Sequence, residues 1–266
     1  MATQELTQDI EIYQPSGYVS LKTVLIPLLF GSAAAILAAL IASVIWQITG
    51  LYLMILFPLG MGFLIAIALN AGNELAKGRN SAVGFAIAVF AGALSYVAMH
   101  YFDSLASSAP DLMSYLRQVN EQGYDFLVGG LPAWLTWLIE LGVVIGTTVY
   151  FGMANVTYPF CEECDQACKD PVLLFATSND RVDEMKAALA EGDIPRLIGL
   201  QSEELTERDQ LKVDFIRCRQ LAHGGYVTLT SITPKGKGDD KEENVLVAYA
   251  LVGADGARAL AESRND

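Results

Sequence analysis

Three of the four cysteines of the chain sit in one short stretch, Phe160-Cys161-Glu162-Glu163-Cys164-Asp165-Gln166-Ala167-Cys168-Lys169. Cys161 and Cys164 have the C-x2-C spacing that lets two thiolates occupy two corners of a tetrahedral Zn²⁺ site. A structural zinc takes four ligands, so two more must come from Cys168, Cys218 and His223. Cys218 with His223 would give C-x2-C…C-x4-H; Cys161, Cys164, Cys168 and Cys218 would give an all-thiolate site. Zinc is therefore the expected cofactor, and it would add folding free energy to a small core. Leu221 stands where a cysteine would have completed a second C-x2-C after Cys218. Three other chemistries compete. A redox dithiol is opposed by Glu162, Glu163 and Asp165, whose charge disfavours a free thiolate. An iron–sulfur cluster is opposed by a run shorter than those of ferredoxins. Unligated buried thiols are the plainest reading, above all for Cys168.

A second candidate is Glu140, about 9 Å along a helix axis from Trp134 inside an otherwise apolar segment. A carboxyl group there is costly unless it is paired, protonated or near the interface. It reads either as a proton or ion site or as a hydrogen-bonded structural acid. His100 reads as an interfacial residue at the end of the preceding apolar segment. No Gly-rich phosphate loop, H-E-x-x-H or G-x-S-x-G occurs in the sequence, and His100 and His223 are its only histidines. A non-enzymatic protein is the expectation.

The elements that carry these residues lie in two different solvents. The chain has 266 residues, 53% of them hydrophobic and 18% charged, against about a quarter charged in soluble domains. Of its 17 Lys and Arg, only Lys22, Lys77, Arg79 and Arg117 precede residue 169. The net charge of −13 argues against a nucleic-acid footprint, which needs a basic patch. Four cysteines without a paired pattern do not make a secreted disulfide framework.

From Thr23 to Leu69 there is no charged residue. One helix of that length would run to roughly 70 Å, more than twice the hydrocarbon core, so the chain must fold back. The polar Gln47-Ile48-Thr49-Gly50, beside Trp46 and Tyr52, marks the turn. Four spans are predicted, over 23–46, 51–71, 82–102 and 134–156, after a polar segment 1–22 that lacks the features of a removed signal peptide. Between the last two, Leu112, Tyr115, Leu116 and Val119 predict an amphipathic helix over 110–122 at the membrane surface, or a solvated helix packed on the spans. Gly129-Gly130-Leu131-Pro132 ends that region. Basic residues in the short loops, Lys22, Lys77, Arg79 and Lys169 against Arg117 alone, place both termini in the cytoplasm.

Small residues recur every four positions: Gly31, Ala35, Ala39 and Ser43; Gly84, Ala88 and Gly92; Gly142 and Gly146. Such faces let helix backbones approach closely. They predict a four-helix transmembrane bundle, or a homodimer through the same faces, embedded in the lipid bilayer.

Residues 157–266 read as a soluble α+β domain. A helix begins near Asn179, carries Val182, Met185 and Leu189, and ends at Gly192; a short one covers Ile194–Leu200. Alternation over 211–216, 226–231 and 244–252 predicts three strands of an antiparallel meander, with a turn at Gly224-Gly225, a charged loop over 234–243 and a final helix over 255–263. The fold class is thus an α-helical membrane bundle plus a small C-terminal α+β domain with a three-stranded antiparallel sheet. The function that follows is an integral membrane protein anchoring a cytoplasmic, zinc-stabilised interaction or regulatory domain for a protein partner. The alternatives are a membrane thiol redox or metal-handling protein, and a small transporter using Glu140.

Overall fold

The computed structural model describes residues 10–50, 55–122, 133–153, 156, 158–168, 171–201, 210–218, 220–235 and 241–263. The turn residues at 51–54, the Gly129–Pro132 break, Lys169 and the middle of the 234–243 loop lie outside them. The chain divides into two compact units, Ser16–Thr157, and Met1–Pro15 with Tyr158–Asp266.

Among the described residues, the first unit holds four helices long and apolar enough to cross a membrane: α1 (Leu21–Thr49), α2 (Leu56–Ala76), α3 (Ser81–Ala106) and, after a shorter α4 (Leu112–Gln122), α5 (Ala133–Gly152). The shortest of the four, with 20 residues, still spans about 30 Å, the thickness of the hydrocarbon core. Their starts are written locally. Ser20 accepts from the Thr23 N–H while its own N–H donates to Thr23 Oγ1, a reciprocal cap on α1. Asn80 accepts from the Val83 N–H at the head of α3. Gly50, at φ 64°, closes α1 in the left-handed conformation that glycine adopts without cost.

Helix α1 packs on α2 and α3, and α5 packs on α2 and α3. The inward residues are small: Ala35, Ala38, Ala39, Ala88 and Ala91 are buried. Leu29, Leu37, Phe63, Phe85 and Leu138 point outward. Small residues inside and bulky apolar ones outside is the arrangement expected when lipid is the solvent. Two of the three small-residue stripes serve this packing. A Cβ on Gly31 would lie 2.6 Å from the Leu69 side chain, and one on Gly92 3.2 Å from the Ile145 backbone. Gly142 and Gly146 do not take part, since a Cβ on either meets nothing within 4 Å. Close contact to α5 comes instead through Gly62, which the four-residue pattern does not single out; a Cβ there would lie 2.7 Å from Thr147 Cβ and 2.9 Å from the Val144 carbonyl oxygen.

The second unit contains β1 (Phe160–Cys161), β2 (Gln166–Ala167), β3 (Val172–Thr177), α6 (Val182–Glu191), α7 (Ile194–Gly199), β4 (Gln210–Arg217), β5 (Gly225–Pro234), β6 (Lys241–Val252) and α8 (Ala254–Glu262). Strands β3 to β6 form one antiparallel sheet in the order β3-β4-β5-β6. The sheet therefore has four strands, not the three predicted from alternation. The additional one, Val-Leu-Leu-Phe-Ala-Thr, is a continuous apolar run with no polar face, so the period of two that marks the others is missing. At the opposite edge, the Leu251 N–H donates to the Glu11 carbonyl and the Tyr13 N–H to that of Tyr249, so residues 10–13 cover the free side of β6. Ile10 is buried in the core of this unit.

The sheet separates two apolar clusters. On one face, Leu211, Val213, Phe215, Val227 and Leu229 pack with Met185, Leu189, Ile194, Leu197 and Leu260 from the helices. On the other, Ile216 and Tyr226, direct cross-strand neighbours, pack with Cys161, Cys168 and Cys218. Strand β6 breaks the simple alternation. Tyr249 has a φ of 55° beside a register shift, and beyond it Ala250 and Val252, instead of Tyr249 and Leu251, face the helices.

Candidate metal centre

The cysteine cluster is built by two loops. The first is the turn between β1 and β2, where Cys161 pairs with Gln166 and Phe160 with Ala167. A two-strand clip this short must turn tightly. Asp165 adopts φ 51° to do so, a left-handed value that Asp tolerates better than most side chains. The turn points the Cys164 N–H at Cys161 Sγ, 3.5 Å away. The second loop joins β4 to β5. Cys218 follows the last residue of β4, and His223 ends a 3₁₀ turn over Leu221–His223. Gly224 then reverses the chain at φ 87°, where a Cβ would lie 2.4 Å from the Val252 carbonyl oxygen. Only glycine fits there, and β5 begins at the next residue.

The ligand atoms of Cys161, Cys164, Cys218 and His223 all lie within 4.8 Å of one another. Cys164 Sγ is 3.1 Å from Cys218 Sγ and 3.1 Å from His223 Nδ1; Cys161 Sγ is 3.7 Å from the same nitrogen. Zinc bond lengths set the edges of a tetrahedral site at about 3.8 Å between sulfurs and about 3.5 Å from sulfur to nitrogen. The separations in the group, from 3.1 Å up to at most 4.8 Å, bracket these edges, and the group could hold a metal ion.

Of the two fourth-ligand candidates that spacing leaves open, the structure brings His223 into this group. Cys168 falls outside it. It lies just beyond β2, its N–H donating to the Pro159 carbonyl at 2.7 Å, its side chain packed toward Ile216 and Tyr226. Burial and the neighbouring Cys161 raise the Cys168 thiol to about 11 against the opposing effect of its hydrogen bond with Cys218, so at neutral pH it is uncharged. The Cys164 thiol is lowered, first by its hydrogen bond with Cys218 and further by the Gln220 N–H and Cys161, while desolvation and, more weakly, the Glu163 charge oppose them. Cys218 moves the other way, chiefly because burial disfavours its thiolate.

Glu163 has a part that its position in the sequence did not suggest. Its carboxylate lies 3.0 Å from His223 Nε2, on the side of the ring away from the sulfurs. A carboxylate accepting the Nε2–H leaves Nδ1 as the bare nitrogen, facing the three sulfurs, which is the tautomer a metal requires. The residue next to a knuckle cysteine has the short reach this takes. Glu163→Gln is expected to weaken zinc binding about 10–100-fold, as loss of such outer partners does. Competition titration against a chromogenic chelator measures it; an unchanged affinity would show that Glu163 only decorates the surface.

Glu140 belongs to the other unit. It is fully buried on α5, with the Tyr96 hydroxyl of α3 donating to Oε2 at 2.7 Å. His100 is also buried, its ring 4.7 Å from that of Tyr96 and 5.7 Å from that of Trp137.

Comparison with family models, with curated proteins and with solved structures finds no match.

Proposed function

We propose that this protein is a membrane-embedded anchor that holds a zinc-stabilised α+β domain at the cytoplasmic surface, where the domain engages a protein partner. The observation that carries the reading is that one chain has both the Cys161, Cys164, Cys218 and His223 group and four membrane-length apolar helices. Zinc is the metal that three thiolates and one imidazole in tetrahedral disposition favour. The four spans would pack as a bundle within the bilayer.

The ligands come from two loops, with the three cysteines on the sheet face opposite the helices and His223 from the β4–β5 loop. A closed four-ligand site there would act structurally, tying the β1–β2 clip to the end of β4. The pairing of residues 10–13 with β6 supports an even number of crossings between the N-terminal segment and the domain. The loop charges then favour the cytoplasm for both, where thiols stay reduced and available to metal.

Photo-cross-linking from the domain surface in native membranes tests the role. A defined partner captured by the zinc-loaded protein and lost after chelation is the expected result. Capture unaffected by metal removal, or no partner, would contradict it. The redox alternative draws on the 3.1 Å separation of the Cys164 and Cys218 sulfurs. It is favoured instead if a mild oxidant converts that pair reversibly to a disulfide in the protein as purified.

A further inference from the structure

Four polar side chains meet inside the helical unit, each from a helix otherwise facing apolar neighbours. Tyr96 and His100 lie one turn apart on α3; Thr136 and Glu140 lie one turn apart on α5. Thr136 is 2% exposed, His100 6% and Glu140 0%. Tyr96 links the pairs, its hydroxyl on Glu140 Oε2 at 2.7 Å and its ring edge-on to the imidazole at 4.7 Å. Trp137 closes one side of the imidazole and Tyr115 of α4 another, with ring centroids at 5.7 and 6.4 Å.

The imidazole has no internal reason to be polar. Among the described residues, neither His100 Nδ1 nor His100 Nε2 has a hydrogen-bond partner, and neither does Thr136 Oγ1. A neutral imidazole carries one donor and one acceptor, and burying both unsatisfied is costly anywhere and more so between lipid-facing helices. Buried groups of this kind are satisfied by water or by a mobile ligand. The dense aromatic packing favours the smallest ligand. A carboxyl group inside a membrane is also least costly when it carries a proton.

We propose that Tyr96, His100, Thr136 and Glu140 form an intramembrane proton-binding site. A hydronium at the α4 end of the helices gives up its proton and leaves a water. The proton passes through water at the His100 nitrogens and Thr136 Oγ1 to the Glu140 carboxyl, where Tyr96 orients the acid. No electrons move. The route is short: His100 is six residues from the end of α3, about 9 Å. Other titratable groups near the imidazole are set apart. Asp103, one turn further on α3, accepts from Ser43 of α1, and α4 presents Tyr115 inward while its Arg117 and Glu121, and Asp111 just before it, are exposed. The site is independent of the cysteine cluster.

Infrared difference spectra of the full chain in lipid bilayers, recorded between about pH 4 and pH 9, test the site. A protonated-carboxyl C=O band that grows as pH falls and is missing in Glu140→Gln is expected. Its midpoint is expected to move by about one pH unit or more in Tyr96→Phe and in His100→Gln. All three changes nearly conserve volume, and an unchanged gel-filtration profile and metal content confirm that each variant is assembled. If Glu140→Gln does not assemble, the midpoints in the other two decide. Absence of a titrating carboxyl band, or a midpoint unmoved in both Tyr96→Phe and His100→Gln, would overturn the proposal and leave Glu140 a structural acid.

Discussion

Cys164→Ser and Cys218→Ser are each expected to strip the protein of stoichiometric zinc and to unfold the cysteine side of the C-terminal domain, whereas Cys168→Ser keeps its metal. The contrast follows from geometry: Cys164 and Cys218 belong to the group whose atoms lie within 4.8 Å, and Cys168 does not. Structural zinc in small peptides contributes about 10–16 kcal/mol of folding free energy at neutral pH. Here much of the domain core lies on the helix face of the sheet and needs no metal. The expected damage is therefore local. The β1–β2 clip and the β4–β5 loop should lose amide protection while β4 and β5 retain it. Elemental analysis with hydrogen exchange on the three variants checks this. Full zinc in Cys218→Ser, or its loss in Cys168→Ser alone, would favour a different ligand set. Zinc occupancy should also fall as pH falls, because metal and protons compete for the same thiolates and imidazole.

The second large effect is expected in the helical unit. Gly62→Leu should separate α2 from α5, because its first side-chain atom would already lie 2.7 Å from Thr147 and 2.9 Å from the Val144 backbone. Overpacking of this kind costs about 1–3 kcal/mol, and a backbone carbonyl cannot swing aside as a flexible side chain can. Gly142→Leu, where a Cβ meets nothing within 4 Å, should leave stability unchanged. Thermal unfolding in detergent compares the two. Equal effects would mean that the α2–α5 packing is not as described.

That pair of glycines also shows what the sequence could and could not reveal. Long, strongly apolar runs marked the four helices, because lipid admits little else, and their observed ends fall within five residues of the expected ones. Which small residues face a neighbour depends on helix rotation, and the G-x3-G spacing of Gly142 and Gly146 carries no information about that. On α3 the pattern was more telling than it first reads. Gly84, Ala88 and Gly92 continue at the same spacing into Tyr96 and His100, so the face that packs inward is the one that buries the histidine. Read as an end-of-helix residue, His100 looked interfacial.

In the second unit, alternation marked β4, β5 and β6, while β3 was invisible because both of its faces are apolar or half-buried. The bulge at Tyr249 could not be read either, since a left-handed backbone at a tyrosine has no composition signal. At the cysteine cluster, C-x2-C and C-x4-H spacing narrowed the ligands to a short set. Spacing alone does not show that His223, instead of Cys168, stands beside Cys164.

The most direct test of the metal centre is zinc K-edge X-ray absorption on the full chain purified without chelator. The account predicts one zinc per chain with three sulfur neighbours at about 2.3 Å and one nitrogen at about 2.0 Å. Four sulfurs, or a chain that carries no zinc and shows freely reactive thiols, would contradict it.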